Sequence, residues 1–428
     1  MVTLLSQPSR LTLNGDRLNQ RIEILANLGR QSSGYIRRLA FTPEDLQARQ
    51  QVQTWMAQAG MTVRIDAAGN IIGRYPGQVQ DAPALATGSH IDTVPSGGRF
   101  DGVLGVLAGI EAIAALQERH LRLRHPLEVI VFTDEESTMI GCQAMAGTVQ
   151  ARAADYHPAD GTTLESCLER VGGNWDEIAT ALRSRSDLAA FVELHVEQGA
   201  VLEHQQRSIG VVEGVVGIRR WALSLTGEAN HAGTTPMDLR HDALVAAAEI
   251  TLAVRRIALQ QPGNPVATVG YLNVLPNAVN IVPGRVDLSV DMRDLSCNCL
   301  HTMEQRLKQE AQGIAATHGV AITFKPLLCV EPTPAAPGIQ GAIATVCDEL
   351  GLSHCSLPSR AGHDALEIGR ITDMGMIFVP SQAGISHSQA EYTSPEQCTQ
   401  GATVLLHTFL KLDTAYPTDN AERVKSEE

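Results

Sequence analysis

Residues 84–136, ALATGSHIDTVPSGGRFDGVLGVLAGIEAIAALQERHLRLRHPLEVIVFTDEE, decide the fold. ALATGSHID is a short strand-like run that ends in polar residues. GVLGVLAGIEAIAALQERH is a long helix with apolar residues at helical spacing. LEVIVFTDEE is a second strand-like run, and it ends in three acids. Two more runs of this kind follow, FVELHVEQG at 191–199 and GMIFVPSQAG at 375–384. Strands that alternate with helices point to a largely parallel α/β sheet, in which ligands sit outside the carboxyl ends of the strands.

Outward from this stretch, the segment from Asp16 to about Gly60 reads as helical, with Leu18, Ile22, Leu25, Val52, Trp55 and Met56 as apolar positions. Met61 to Gly77 alternates and turns at Gly69–Asn70, a hairpin signature. Residues 213–330 read differently. WALSLTGEANH, ATVGYLNVLPNAVNIVPG and VDLSVDMRD are alternating strands, with two helical runs among them. They predict a small α+β domain. The first strand-end segments precede it and the last one follows it, so it reads as an insertion. The expected architecture is α/β. A mostly parallel-sheet domain with helices on both faces takes 1–212 and 331–428, and an inserted small α+β domain takes 213–330. EPTPAAPG (331–338) reads as the return linker, and the tail after about Thr414 as frayed.

Of the 428 residues, 44% are hydrophobic and 19% charged, the balance of a globular protein with a large core. The formal net charge is −14, and aromatics make up 4%. With no Lys/Arg stripe and few stacking side chains, nucleic acid and anionic membranes are not expected partners. The eight cysteines form no CxxC pair, and Cys297 and Cys299 are too close in sequence for an easy disulfide. Reduced thiols, no apolar run of membrane length and no basic-then-apolar start together read as a cytoplasmic protein.

Five residues of metal-ligating type stand in the strand-end segments: His90 in GSHID, Asp101 in GGRFDG, Glu136 in FTDEES, His195 in ELHVEQG and His387 in GISHSQAE. Imidazoles with carboxylates and no thiolate suit Zn²⁺, Mn²⁺, Co²⁺ or Ni²⁺. One carboxylate among them can bridge two ions, so a paired-metal site that activates water is the leading idea. Asp92, two residues after His90, can accept the free ring N–H. Gly97, Gly98 and Gly102 flank Asp101 and allow a tight loop, although a solvated polar loop is the plainer reading. In FTDEES a cation offsets the repulsion of adjacent acids, and one acid can stay off the metal as general base. For Asp134 the plainer reading is an acid at a helix N-terminus. In ELHVEQG, alternation puts Glu193, His195 and Glu197 on one face. His231 reads as a surface histidine in a Gly-bounded turn, and Arg293 in DMRD as half of an ion pair. Asn280 precedes a proline turn, and the small residues around His363 in SRAGHDALEI suit an anion-wrapping loop.

Taken together and in this order, the blocks GSHIDTVPSGGRFDG, ELHVEQG, NHAGTTPM, NAVNIVPG, AGHDA and ISHSQAEYT resemble the M20 metallopeptidase-type amidohydrolases. Within them they resemble the carbamoylase branch: N-carbamoyl-L-amino-acid hydrolases, β-ureidopropionases and allantoate amidohydrolases. The resemblance runs from about Asp16 to Leu412. It implies two divalent ions per subunit (Zn, Mn, Co or Ni), with Asp101 bridging them. His90 and His195 would complete one ion, and Glu136 and His387 the other. Glu135 would be the general base, with Asp92 standing behind His90. His231, from the partner subunit's inserted domain, would stabilise the oxyanion. Gln198 would touch the ureido group, and Asn280, Arg293 and the loop at Gly362 and His363 would hold the substrate carboxylate.

The resemblance also implies a cis Asp101–Gly102 peptide and a homodimer through the inserted domain. One departure stands out. Ser137, Thr138, Met139 and Ile140 replace the branch's Gly-Ser-Arg-Phe-like run, so a basic substrate contact is unmatched there. The implied activity is hydrolysis of a linear C–N amide in a small carbamoyl or ureido acid, with release of ammonia. The rival within the class is an M20 aminoacylase or dipeptidase acting on N-acyl amino acids. The rival from another class is a non-catalytic small-ligand-binding protein on the same scaffold.

Overall fold

A computed structural model describes residues 11–159 and 161–419. The chain forms two compact units. One runs up to Gly214 and resumes at Pro334; the other is Val215–Thr333. The strands are β1 (Thr62–Ile65), β2 (Ile71–Tyr75), β3 (Ala84–His90), β4 (Leu127–Phe132), β5 (Leu188–Val196), β6 (Ile209–Val215), β7 (Gly217–Thr226) and β8 (Asn230–His231). They continue with β9 (Val266–Leu275), β10 (Ile281–Val282), β11 (Arg285–Asp294), β12 (Ala321–Val330), β13 (Thr333–Pro334), β14 (His354–Ser359) and β15 (Asp373–Val379).

The larger unit is built on a nine-stranded sheet of order β1-β2-β4-β3-β5-β15-β6-β13, with β14 also on β6. Its centre, β4-β3-β5-β15, is parallel. β2 pairs antiparallel with β4, and β6 with β15. Every residue of β3, β4 and β5 is buried, which is why these strands read as near-continuous apolar runs.

The helix Val103–Glu118 is buried all round from Val103 to Leu116. It packs on β3, β4 and β5, and on the helices Gly15–Asn27 and Pro395–Ala415. Gly105 permits the approach to the sheet, since a Cβ there would lie 2.3 Å from the Leu194 carbonyl oxygen. The one acid on this helix face, Glu111, is fully buried and takes Arg17 Nε and Nη2, both at 2.7 Å. Helices cover both faces of the sheet. Leu194 of β5 meets Gly105, while the preceding Glu193 accepts the Ala365 N–H of the helix Asp364–Ile368. The 16–60 run is two helices, Gly15–Asn27 and Pro43–Gln58. Left-handed Gly29, Gly34 and Phe41 break it between them.

The smaller unit is a four-stranded antiparallel sheet, β12-β7-β11-β9, with the helices Ala243–Leu259 and Cys297–Thr317. Val286, Leu288, Val290 and Met292 alternate inward from β11. They meet Ile250, Val254 and Ile257 of one helix and Leu300, Met303 and Leu307 of the other in a single core. β8 and β10 form a separate two-residue ribbon. No described helix is long and apolar enough to cross a membrane.

Candidate metal centre

The four parallel strands end at one edge of the sheet, and their carboxyl ends carry the polar residues. His90 closes β3, His195 is the penultimate residue of β5, Glu135 and Glu136 follow β4, and His387 lies in the loop after β15. Asp101 sits in the turn that opens the helix Val103–Glu118, with its two oxygens facing different partners. Oδ1 is 3.6 Å from His90 Nε2 and 3.2 Å from His195 Nε2. Oδ2 is 3.2 Å from His387 Nε2, which in turn is 3.6 Å from Glu136 Oε1. Glu135 Oε2 lies 3.6 Å from His90 Nε2.

These spacings fit metal ions. Two ligand atoms on a tetrahedral zinc at ~2.0–2.1 Å lie roughly 3.3 Å apart, and the contacts above are 3.2–3.6 Å. The ring tautomers fit as well. His90 Nδ1 faces the Asp92 carbonyl at 3.0 Å and His195 Nδ1 the Val196 carbonyl at 2.9 Å. Each Nδ1 is therefore the protonated nitrogen, and each Nε2 lone pair points into the cluster, the arrangement of a ligand histidine. Burial pushes Glu136 up to about 7 and Glu135 well above the usual carboxylate range. Asp101 goes the other way. Burial opposes its charge, but the His195, His387 and His90 rings packed around the carboxylate outweigh it and hold the pKa well below normal. A divalent cation offsets the mutual repulsion of these acids.

The backbone is shaped for the site. Asp134, Met139, Gln198 and His387 are non-glycine residues with φ of 57°, 55°, 56° and 52°. Such left-handed residues cost ~1–3 kcal/mol each and cluster where function demands them. Gly102 has φ 67°, and a Cβ there would lie 2.5 Å from His90 Nε2, so only glycine fits. Its left-handed φ makes the turn, and the expected cis Asp101–Gly102 bond is not present. Among the described residues the cis peptide is Leu275–Pro276.

Several expected partners differ in detail. Asp92 meets His90 through its backbone carbonyl; its carboxylate stands 3.7 Å from His90 Nδ1 and accepts the Glu136 N–H at 3.1 Å. Glu197 leaves the His195 face because β5 ends at Val196, and its carboxylate accepts the N–H groups of Val201 and Leu202. Asp134 accepts the Thr138 hydroxyl at 2.5 Å and closes a turn rather than opening a helix. Gln198 Nε2 donates to Asp101 Oδ2 at 2.8 Å, and its buried Oε1 has no partner among the described residues. Gly362 is exposed, but His363 is buried, stacked edge-on at 4.5 Å against His195 and at 5.7 Å against Phe378. His363 therefore packs behind a donor and does not line an open loop. Ser386 and Glu391, which also contact the Asp101 turn, have no motif signal of their own apart from lying in ISHSQAE.

In the smaller unit the structure brings His231 and Asn280 together but leaves Arg293 apart. His231 pairs with Ile281 in the β8–β10 ribbon, and the Asn280 carbonyl accepts the Ala232 N–H. His231 Nδ1 accepts the Gly233 and Thr234 N–H groups at 3.1 Å each, so its proton sits on Nε2, on an exposed ring. Arg293 lies at the far end of β11, with Nε 2.8 Å from Asp291 Oδ1.

Residues 86–411 match peptidase family M20/M25/M40. The chain belongs to this family. Within M20 it is 40% identical over 405 residues to an N-carbamoyl-L-amino acid amidohydrolase of Geobacillus stearothermophilus, covering 94% of this chain and 99% of the relative. It is 36% identical to an allantoate amidohydrolase of Bacillus subtilis, over 91% of this chain and 96% of that one. A crystal structure of a hydantoinase/carbamoylase-family amidase from Burkholderia multivorans superposes with a TM-score of 0.88 at 35% identity, covering 94% and 98% of the two chains. This M20 chain is of the carbamoylase type and is a hydrolase of C–N bonds other than peptide bonds.

Proposed function

We propose that this M20 hydrolase cleaves the linear C–N amide of a carbamoyl or ureido acid, such as an N-carbamoyl-L-amino acid or allantoate, using two divalent ions per subunit. The observation that carries the two-ion reading is Asp101. One of its oxygens faces His90 and His195, and the other faces His387, which is joined by Glu136. Bound Zn²⁺, Mn²⁺, Co²⁺ or Ni²⁺ would polarise the substrate carbonyl and acidify a water.

The chain's own residues do the rest. Glu135, half-buried beside His90, takes the proton of the attacking water and passes it to the leaving nitrogen. Gln198 Oε1, a buried acceptor, suits a ureido N–H. For a carbamoyl amino acid the products are the amino acid, CO₂ and ammonia.

His231 carries its proton on Nε2 and so can donate to an oxyanion, and Arg293 can grip a carboxylate. These two stand at opposite ends of the smaller unit. Between Arg285, where the ribbon joins, and Arg293, β11 spans about 27 Å at ~3.4 Å per residue. A two-fold dimer in which the partner subunit supplies His231 accommodates two residues this far apart. Asn280 lies beside His231, away from Arg293. Val245, Leu252 and Leu259, spaced seven apart on one helix, are 44%, 66% and 67% exposed, an apolar stripe suited to such an interface.

Metal removal tests the proposal. Chelated protein is expected to release no ammonia from its substrate, and Mn²⁺, Co²⁺, Ni²⁺ or Zn²⁺ to restore release. Full turnover by protein shown metal-free by elemental analysis would overturn it.

A further inference from the structure

We propose that Glu391 is a positioning residue for the metal centre. Its carboxylate holds the turn from which Asp101 departs and ties that turn to the loop carrying His387. The inference rests on the reading that Asp101 serves both ions.

Asp101 needs such a tether because its turn is built from conformationally permissive residues. Gly97 and Gly98 precede it and left-handed Gly102 follows it. A bridging carboxylate must present both oxygens in fixed directions, and a glycine-flanked turn does not provide that alone. Glu391 does. It is 1% exposed. Its Oε1 accepts two consecutive backbone N–H groups, Phe100 at 2.7 Å and Asp101 at 3.1 Å. Its Oε2 lies 3.1 Å from Ser386 Oγ, which is also 3.1 Å from Asp101 Oδ2. The backbone and one carboxylate oxygen of Asp101 are thus both referred to one side chain. Ser386 is the residue before His387, so the same contact registers the two ligand loops against each other.

Glu391 is itself fixed. Its N–H donates to Ser388 O at 3.0 Å, and the next residue's carbonyl, Tyr392 O, accepts the Gln382 N–H at 2.9 Å. Tyr392 packs edge-on against Phe100 at 6.1 Å. Gly98 completes the fit, since a Cβ there would lie 2.4 Å from the Glu391 carboxylate. Partners that orient ligands in this way typically contribute ~10–100-fold in metal affinity or activity.

Equilibrium dialysis against Mn²⁺, without substrate, tests this on wild type, Asp101→Ala, Glu391→Ala and Glu391→Gln, alongside thermal unfolding of the chelated proteins. Wild type should bind two ions and Asp101→Ala neither. Glu391→Ala should lose ~10–100-fold in affinity for both ions. Glu391→Gln keeps an acceptor oxygen for the two N–H groups and should recover part of that loss. With Mn²⁺ saturating, kcat should fall more than KM changes. Wild-type affinity in Glu391→Ala, with only a lower melting temperature, overturns the inference, as does a loss confined to one ion. An ion retained by Asp101→Ala sinks the reading beneath it instead. Should Glu391→Ala not fold, Glu391→Gln and Gly98→Ala, which displaces the carboxylate without deleting it, decide by the same criteria.

Discussion

Glu135→Gln is expected to bind both ions and to lose ~10²–10⁴-fold in kcat, the usual contribution of a general base. The substitution keeps the side chain's size and removes only its ability to take a proton. The geometry gives the expectation its two halves. Asp101 Oδ2, His387 and Glu136 make one set of contacts without Glu135, and His90, His195 and Asp101 Oδ1 make the other. Glu135 lies 3.6 Å from His90 and also stands near Glu136. Metal analysis and steady-state kinetics on the same preparation separate the outcomes. A variant within a few-fold of wild type moves the role elsewhere, and Asp134, buried at the same strand end, becomes the next candidate. A variant that loses one ion makes Glu135 a ligand.

Mixing two inactive variants should regenerate activity. His231→Ala removes the proposed oxyanion donor and Glu135→Gln the base, so each homodimer is dead at both sites. If His231 acts in trans, a heterodimer holds one site with wild-type Glu135 on its own chain and wild-type His231 from its partner. Random re-equilibration makes half of the dimers mixed, each with one working site, so about a quarter of wild-type activity is the ceiling. Heterodimer formation is followed separately by differential tagging. Heterodimers that form yet stay inactive place His231 in its own subunit's chemistry, or outside the chemistry altogether.

The strand ends were legible because three local signals coincide there. Each run is apolar, three of the four stop at or just before residues of ligand type, and glycines bracket Asp101. The parallel centre of the sheet then brings His90, His195, Glu136 and His387 to one edge. Other features could not be read because they depend on atoms and boundaries that spacing does not specify. Asp92 was expected to use its carboxylate on His90, but the chain leaves β3 so that its carbonyl arrives first. Glu197 continues the alternation of ELHVEQG on paper, yet the strand stops one residue earlier and left-handed Gln198 turns the chain away. His363 sits in a run of small residues that suggests an open loop, whereas its ring is buried between His195 and Phe378. Glu391 joins Asp101 across 290 positions of sequence, and no periodicity reports such a contact. The break at 28–42 came from left-handed residues inside an otherwise helical composition.

Ammonia release by the metal-loaded protein from a substrate panel measures the chemistry itself. The panel comprises allantoate, several N-carbamoyl-L-amino acids, β-ureidopropionate and ureidoglycolate, with N-acyl amino acids and dipeptides as controls followed by amine release. Turnover is expected for at least one carbamoyl or ureido acid and for none of the controls at comparable kcat/KM. Turnover of the N-acyl or dipeptide controls alone, with every ureido compound untouched, would contradict it and make the chain an aminoacylase or dipeptidase on the same scaffold.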